Sequence, residues 1–447
     1  MKNILVLGAG KSATDLIAYL LQYAPQYDWF VTVGDYDLQT ALVKVNNHPR
    51  GRAVFFDVHD ADARANYIFT ADIVASVLPA AFHILVAHDC LRFGKHLITP
   101  SYVSAQERAL DADFKNAGLL FMGEIGLDPG IDHMSLMKMI HHLRSQNAQI
   151  TEVRSYCGAL IAPESDNNPW HYKFTWAPMN VVLAGQGGTA QYLQNGSPRY
   201  IPYNRLFARH EVYEVPGYGT FEAYANRDSI PYRQTYQIED VPTLLRGTLR
   251  KGGFCNAWQA LVTLGLTDNQ LQLTNPAALT YAGLTEAFLP ADSTASGSLP
   301  ERTANFLGIH PQSEIMYRLN WLGLFSDVPL KNNPQTPAQA LLHLLSEKWK
   351  LEPDDKDMIV MLHKVNYQLH GAHRAHTSVM VITGADADNT AIAATVGLPM
   401  AIMTKLALTH AIQLTGVHIP VMPQVYEPIL TELQNYGIHF TNTDEAL

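Results

Sequence analysis

Cysteine is scarce in this chain. Cys90, Cys157 and Cys255 are the only three in 447 residues, too few for a disulfide framework and suited to a reducing compartment. Excess positive charge is also missing. The 31 Lys and Arg against 41 Asp and Glu leave a net charge of -10, which argues against nucleic acid as the main partner. The first residues lack the charged start and apolar core of a signal peptide. No run of about 18 apolar residues suggests a membrane span. No His, Cys and Glu cluster has metal-ligand spacing, and no nucleophile elbow occurs, so no metal is expected. Internal repeats and low-complexity segments are likewise lacking; the Ser- and Ala-rich Asp292 to Gly297 reads as a loop. These absences leave a cytoplasmic, multidomain protein with no membrane contact. Hydrophobic residues at 47% suffice for sizeable cores, and the length implies two or three domains.

What is present begins at the N-terminus. Lys2-Asn3-Ile4-Leu5-Val6-Leu7 is an apolar run fit for a buried strand, broken by Gly8-Ala9-Gly10-Lys11-Ser12-Ala13. Ala13, Leu16, Ile17, Leu20 and Leu21 then recur at helical spacing. Strand, glycine turn and amphipathic helix in that order form the context in which G-x-G-x-x-A binds a dinucleotide. Gly8 allows the tight turn, Gly10 lets backbone approach a pyrophosphate, and Ala13 lets helix and sheet pack closely. Lys11 and Ser12 stand at the helix N-terminus, where amide groups and the helix dipole favour phosphate.

Strand and helix patterns alternate through the first third. Trp29 to Val33, Ala53 to Asp57, Ile73 to Leu78, His96 to Thr99 and Leu119 to Met122 are short apolar runs. Segments such as Phe82 to Arg92 and Ala105 to Lys115 have helical character. The pattern predicts an α/β fold, a Rossmann-type doubly wound parallel sheet with helices on both faces. Ligands on such sheets bind beyond the carboxyl ends of the strands. Asp35 lies roughly 20–25 residues past the glycines, where a carboxylate accepts both hydroxyls of an adenosine ribose and repels a 2′-phosphate. NAD is therefore expected in preference to NADP. Asp57 and Val58, at the end of the third strand, are candidates for the adenine end. Ser76 and Leu78 end the fourth strand, beneath the nicotinamide ribose.

From about Thr151 the texture changes. Ser155-Tyr156-Cys157-Gly158 ends a short strand, and aromatic strand-like segments continue to about Tyr236. Residues 243–350 are rich in Leu and Ala; Ala338, Leu341, Leu342 and Leu345 mark one helical face. Strand-like runs return at Met361 to Val365 and Val379 to Ile382, before an apolar helix over Ala391 to Ile412. The division expected is a Rossmann domain over 1–128, completed by about 386–447. An α+β substrate domain follows over 129–242 with about 351–385, and a helical subdomain over 243–350.

Several segments together resemble the glutamate-forming saccharopine dehydrogenases. They are Gly123-Glu124-Ile125-Gly126-Leu127-Asp128-Pro129-Gly130-Ile131-Asp132-His133, Ser101-Tyr102, Ser155-Tyr156-Cys157-Gly158, Asn167-Asn168-Pro169, Tyr172-Lys173-Phe174, Asn226-Arg227-Asp228-Ser229 and Arg246-Gly247-Thr248-Leu249-Arg250. They occur in the family's order and approximate spacing, from Lys2 to near residue 440. Ala80-Ala81, Lys251-Gly252 and Ala225 depart from the family pattern, as does the stretch Ser197 to Arg209. The resemblance implies an oxidoreductase of lysine metabolism that cleaves saccharopine to L-glutamate and 2-aminoadipate 6-semialdehyde, or runs the reverse; with the Asp35 reading, it is expected to be NAD-dependent. A homodimer is the expected assembly.

Saccharopine carries three carboxylates and a secondary amine, so its site needs cations, preferably arginines that grip a carboxylate through two hydrogen bonds. Arg227 and Arg250 lie in the resembling motifs, with Arg246 and Lys173 as further candidates. The resemblance adds Ser101, Tyr102, Thr248 and Leu249 as substrate contacts. Oxidation gives an imine to which water must add, and this requires groups that take and return protons. Asp128, Tyr102 and Cys157 resemble the family's acid–base groups. Cys157 reads equally as a small buried hydrophobe, and His83 and His133 read as structural. Two other classes stay open. One is a carboxynorspermidine-type dehydrogenase, the other a nucleotide-binding module without chemistry.

Overall fold

Over the first 145 residues, short apolar runs become strands and the segments between them become helices, in a computed structural model that describes residues 1–291 and 296–447. In order they are β1 (Lys2–Leu7), α1 (Thr14–Tyr27), β2 (Trp29–Asp35), α2 (Leu38–Val45), β3 (Gly51–Phe55), α3 (Ala61–Thr70), β4 (Ile73–Ser76), α4 (His83–Phe93), β5 (His96–Ile98), α5 (Ala105–Ala109), α6 (Asp111–Asn116), β6 (Leu120–Met122) and α7 (Ile131–Ser145). Asp37 and Asp60 cap α2 and α3 by accepting from the amides of Gln39 and of Asp62 and Ala63, which satisfies donors that a helix start leaves without partners. The expected loop at Asp292 to Gly297 lies, over 292–295, outside the described residues.

The second run of elements begins with β7 (Gln149–Ile161) and α8 (Pro178–Val182). Strands β8 (Ala190–Gln194), β9 (Ser197–Ile201), β10 (His210–Val215) and β11 (Gly219–Ala225) follow, then α9 (Tyr232–Thr235) and β12 (Thr243–Lys251). Five helices come next: α10 (Phe254–Thr263), α11 (Tyr281–Ala287), α12 (Leu299–Leu307), α13 (Glu314–Leu322) and α14 (Pro337–Lys348). The chain ends with β13 (Asp357–Leu369), β14 (Ala372–Thr383), α15 (Ala391–Leu408), β15 (Gly416–His418), α16 (Pro423–Leu433) and β16 (Thr441–Ala446). The described residues fall into two units, Met1–Ile150 with Tyr367–Leu447, and Thr151–Asn366.

The first unit is built on a parallel sheet of seven strands, ordered β15-β6-β5-β4-β1-β2-β3. This is the expected α/β, Rossmann-type arrangement. Parallel strands need crossovers, so helices cover the faces and the strands are apolar on both sides. Leu5, Leu7, Val74, Val86, Leu97, Phe114 and Phe121 share one buried cluster. Between β1 and β4 the strand order reverses, which opens a crevice at their carboxyl ends. Helix α15 packs on α1 so closely that a Cβ at Gly397 would stand 2.6 Å from the Leu16 amide nitrogen. That helix also corrects one expectation. Its 18 residues have a mean hydropathy of 1.7, long and apolar enough to cross a membrane by length and composition, and 72% of them are buried. Such burial is that of a core helix.

The second unit holds a mixed sheet, ordered β10-β11-β12-β7-β13, with β8 attached to β12 and to β9. β12 runs parallel to β7 and antiparallel to β11. Trp170, Trp258, Trp349, Tyr172 and Phe254 pack ring against ring in this unit. Several strand ends differ from expectation. β3 stops at Phe55 and β5 at Ile98, so Asp57 and Ser101-Tyr102 lie in loops rather than at strand ends. Ser155 to Gly158 sits inside the 13-residue β7 instead of ending a short strand. Alternating half-buried positions make such ends hard to place from apolar runs alone.

Candidate functional site

The glycine turn has the geometry that a dinucleotide requires. Gly8 sits at φ 95°, and a Cβ there would stand 3.1 Å from the Val77 carbonyl oxygen. The turns after β1 and β4 therefore approach closely only because position 8 has no side chain. Gly10 faces open space, with nothing within 4 Å of where its Cβ would lie. Lys11 is exposed and Ser12 half-buried on the short helical turn that leads into α1, while Ala13 is buried. This cradle fits a pyrophosphate. Asp35 ends β2 as expected, yet its carboxylate is already engaged. Oδ2 accepts from the Ala9 amide at 2.6 Å and Oδ1 from the Asp37 amide at 2.8 Å. It braces the glycine turn rather than standing as a bare pair of acceptors.

Asp57 accepts from the His59 amide at 2.9 Å in a loop beyond β3. The Val58 carbonyl accepts from Arg64, whose guanidinium pairs with Asp89 at 2.6 Å. Tyr36 and Phe55, which the sequence reading passed over, follow β2 and end β3 with ring centroids 5.5 Å apart. Both are exposed, an apolar surface at the adenine end of such a crevice. Leu78 is half-buried beyond β4. Ser76, the last residue of β4, is buried and meets the His83 ring at 3.0 Å. The other ring nitrogen of His83 lies 2.9 Å from both Ser101 and Thr99 hydroxyls. Burial alone pushes this imidazole down to about 4.

Two of the three expected acid–base residues are brought together. The Tyr102 hydroxyl donates to Asp128 Oδ1 at 2.8 Å. A buried clamp holds the loops that carry them. Glu124 accepts from the Val103 amide at 3.0 Å and meets His133 Nε2 at 2.9 Å. Asp132 accepts from the Gly130 amide at 2.6 Å and lies 3.5 Å from His133 Nδ1. At Gly130, φ is 147° and a Cβ would stand 2.0 Å from the Gly126 carbonyl oxygen, so only glycine closes this loop. Glu124 and His133 were within the motif singled out in the sequence. Their contact with the Tyr102 loop was invisible there, because residue spacing does not report a fold across loops.

Cys157 belongs to the second unit, buried on β7 in register with Thr248 of β12. Thr248 is half-buried, whereas Leu249 and Arg250 are buried. The Arg250 guanidinium lies over the rings of Tyr172, Phe254 and Tyr224 at 5.1, 5.5 and 5.9 Å, and its Nη1 donates to the Leu249 carbonyl at 3.0 Å. Its Nε has no hydrogen-bond partner, and no carboxylate lies within ion-pair distance among the described residues. Burial keeps the Tyr172 and Tyr224 hydroxyls above their ordinary range, and so neutral. Ring contacts return about 2 kcal/mol to a desolvated cation, against a burial penalty of several kcal/mol per ion. The balance calls for an anion.

Arg227 is exposed at φ 54°, next to Asn226, whose amide donates to the Arg246 carbonyl at 2.9 Å. Arg246 is buried with its guanidinium 4.1 Å from the Tyr232 ring. Lys173 is corrected as a carboxylate grip, since its Nζ is already held by Asp355 at 2.6 Å in a buried pair. Among the described residues no group of three or more His, Cys, Asp or Glu is placed to hold a metal.

Comparison with known proteins bears on this geometry. A family model described as "Saccharopine dehydrogenase C-terminal domain" matches residues 126–438, and another, "Saccharopine dehydrogenase NADP binding domain", matches residues 4–122. The chain is 34% identical over 446 residues to a saccharopine dehydrogenase (NADP(+), L-glutamate-forming) of Saccharomyces cerevisiae, with 98% of each covered. To the same-named protein of Pyricularia oryzae it is 33% identical over 447 residues, again with 98% of each covered. The apo histidine-tagged saccharopine dehydrogenase (L-Glu forming) from S. cerevisiae superposes with a TM-score of 0.89 over 100% of both chains, at 31% identity. These findings overturn the expectation of NAD over NADP. In the structure the Asp35 carboxylate braces the glycine turn through the Ala9 and Asp37 amides, and its place at the end of β2 did not predict the cofactor.

Proposed function

The chain belongs to the L-glutamate-forming saccharopine dehydrogenase family, and from that membership we propose that it interconverts saccharopine with L-glutamate and 2-aminoadipate 6-semialdehyde, using NADP, in lysine metabolism. The observation that carries this reading is Arg250, a buried guanidinium in an aromatic cage without a carboxylate among the described residues. A substrate carboxylate is the counter-ion it lacks. A polyamine substrate would instead need an acidic pocket, so the same residue speaks against a carboxynorspermidine-type reaction. Arg227 is a second grip for a carboxylate, and Thr248 and Leu249 flank the first.

The glycine turn, Lys11 and Ser12 would hold the pyrophosphate, with Ser76 and Leu78 beside the nicotinamide end and Tyr36 and Phe55 beside adenine. When bound, NADP+ would supply the hydride acceptor for the substrate carbon next to the amine. The amine proton then has to leave, water has to add to the imine, and the carbinolamine has to collapse to aldehyde and free glutamate. Tyr102 and Asp128 share one hydrogen bond of 2.8 Å. A carboxylate that accepts from a phenol can take a proton and return it through the same contact. The Glu124–His133 clamp fixes that pair, and Cys157 is a further group on the substrate sheet.

The test is an assay of the purified chain with saccharopine and either NADP+ or NAD+. Formation of NADPH with one L-glutamate per turnover is the expected result. No glutamate with either nucleotide would contradict the reaction, and higher catalytic efficiency with NAD+ would contradict the cofactor.

A further inference from the structure

We propose that His83 is a positioning residue, whose imidazole orients the Ser101 hydroxyl for the substrate and couples it to Ser76 at the cofactor edge. The inference rests on the proposed function above and on Ser101 as the substrate contact that the family resemblance implies. His83 opens α4 just beyond the end of β4, and its ring is buried. Nδ1 lies 3.0 Å from the Ser76 hydroxyl, and Nε2 lies 2.9 Å from the hydroxyls of Ser101 and Thr99. The Ser101 amide also donates to Thr99 Oγ1 at 3.3 Å. The Ser76, Thr99 and Ser101 hydroxyls, at and beyond the ends of β4 and β5, are thus tied to one ring.

A neutral imidazole has one donor nitrogen and one acceptor. Burial, without an opposing charge, keeps this ring neutral down to about pH 4. If Ser76 accepts from Nδ1–H, Nε2 must accept, and its one lone pair is shared between the Ser101 and Thr99 protons; where Ser101 supplies the proton, its lone pairs are left outward. In the other tautomer Nε2–H donates, and the Ser101 proton turns outward. The tautomer, together with Thr99 at the same nitrogen, therefore biases whether Ser101 offers substrate an acceptor or a donor. A histidine that only filled space would show no such dependence.

Asparagine and glutamine separate the two ends of the ring, because an Asn amide reaches the place of Nδ1 and a Gln amide that of Nε2. His83→Gln should keep the KM for saccharopine within about threefold. His83→Asn should raise it roughly tenfold, the size of one hydrogen bond between neutral groups, with the KM for NADP+ unchanged. In the Ser101→Ala background His83→Asn should add nothing further, because it acts through a hydroxyl that is gone. Equal behaviour of Asn and Gln, or effects that multiply in the double variant, would overturn the proposal. Should His83→Asn not fold, ring nitrogen NMR of His83 in the wild-type protein decides. Saccharopine should shift those resonances, and unchanged resonances at saturation contradict the coupling. A wild-type chain that makes no glutamate would sink the functional reading itself, whereas an active enzyme with additive effects sinks only the role of His83.

Discussion

Lys173 and Arg250 are both buried cations of the second unit, and they stand in opposite circumstances. Lys173 Nζ meets Asp355 at 2.6 Å. Arg250 has three aromatic rings and a carbonyl about it and no carboxylate among the described residues. In the first unit Arg64 follows Lys173, paired with Asp89 in a buried contact. An ion removed from water costs several kcal/mol, so a buried pair is accounted for by the fold that contains both partners. A buried cation with rings and a single carbonyl about it is only partly accounted for by the fold, unlike Arg318, whose guanidinium donates to the Pro169 and Gly253 carbonyls. Charge accounting thus separates a structural lysine from the arginine proposed as a carboxylate grip, although each lies in a segment that resembles a family motif.

The largest effect should come where a paired group is also the proposed proton carrier. Asp128→Asn keeps an acceptor for the Tyr102 hydroxyl, so melting temperature should hold. Turnover should fall by roughly 10²–10⁴, the usual size of a general acid–base contribution. Near-normal turnover would return Asp128 to a purely structural role. Next in size is the break of the structural pair. Asp355→Ala leaves Lys173 buried and alone, and should cost about 3–5 kcal/mol of unfolding free energy in a denaturant titration. The KM for saccharopine of the folded fraction should not move. A large change in KM at unchanged stability would erase the contrast with Arg250.

Acid should reveal a third effect. His83 titrates at about 4 when folded and near its ordinary 6.5 when unfolded. Between these values the unfolded chain binds the extra proton, so stability rises with pH across this window and is lost as pH falls from 6.5 to 4. The loss amounts to about 3 kcal/mol at the lower end. His83→Gln should flatten that part of the stability curve, and an unchanged slope would show that the ring titrates normally. Smallest of all is Arg227→Ala. Arg227 is exposed and screened by water, so the KM for saccharopine should rise only about three- to tenfold.

Local features were legible in the sequence. The β1 run, the Gly8 and Gly10 turn and the α1 face declare themselves within one short segment, and the alternation that follows implies the parallel sheet. Tyr102 and Asp128 were named from motifs, and their hydrogen bond bears on the roles proposed for them. Contacts across loops were not legible. His83 joins Ser76, Thr99 and Ser101 only because β4 and β5 are neighbours in the sheet, and Glu124 reaches Val103 through a folded loop. The brace from Asp35 to the Ala9 amide was equally hidden, since the two come from different strand ends. Lys173 and Arg250 looked alike because a motif records residue type and not what sits beside it.

The account turns most directly on Arg250→Met, measured for saccharopine KM and thermal stability in the same preparation. Loss of charge-assisted hydrogen bonds to a substrate carboxylate should raise KM by roughly 30- to 1,000-fold. Removal of an uncompensated buried charge should leave the melting temperature unchanged or higher. An unchanged KM together with a lower melting temperature would contradict the claim, and would make Arg250 part of the scaffold like Lys173.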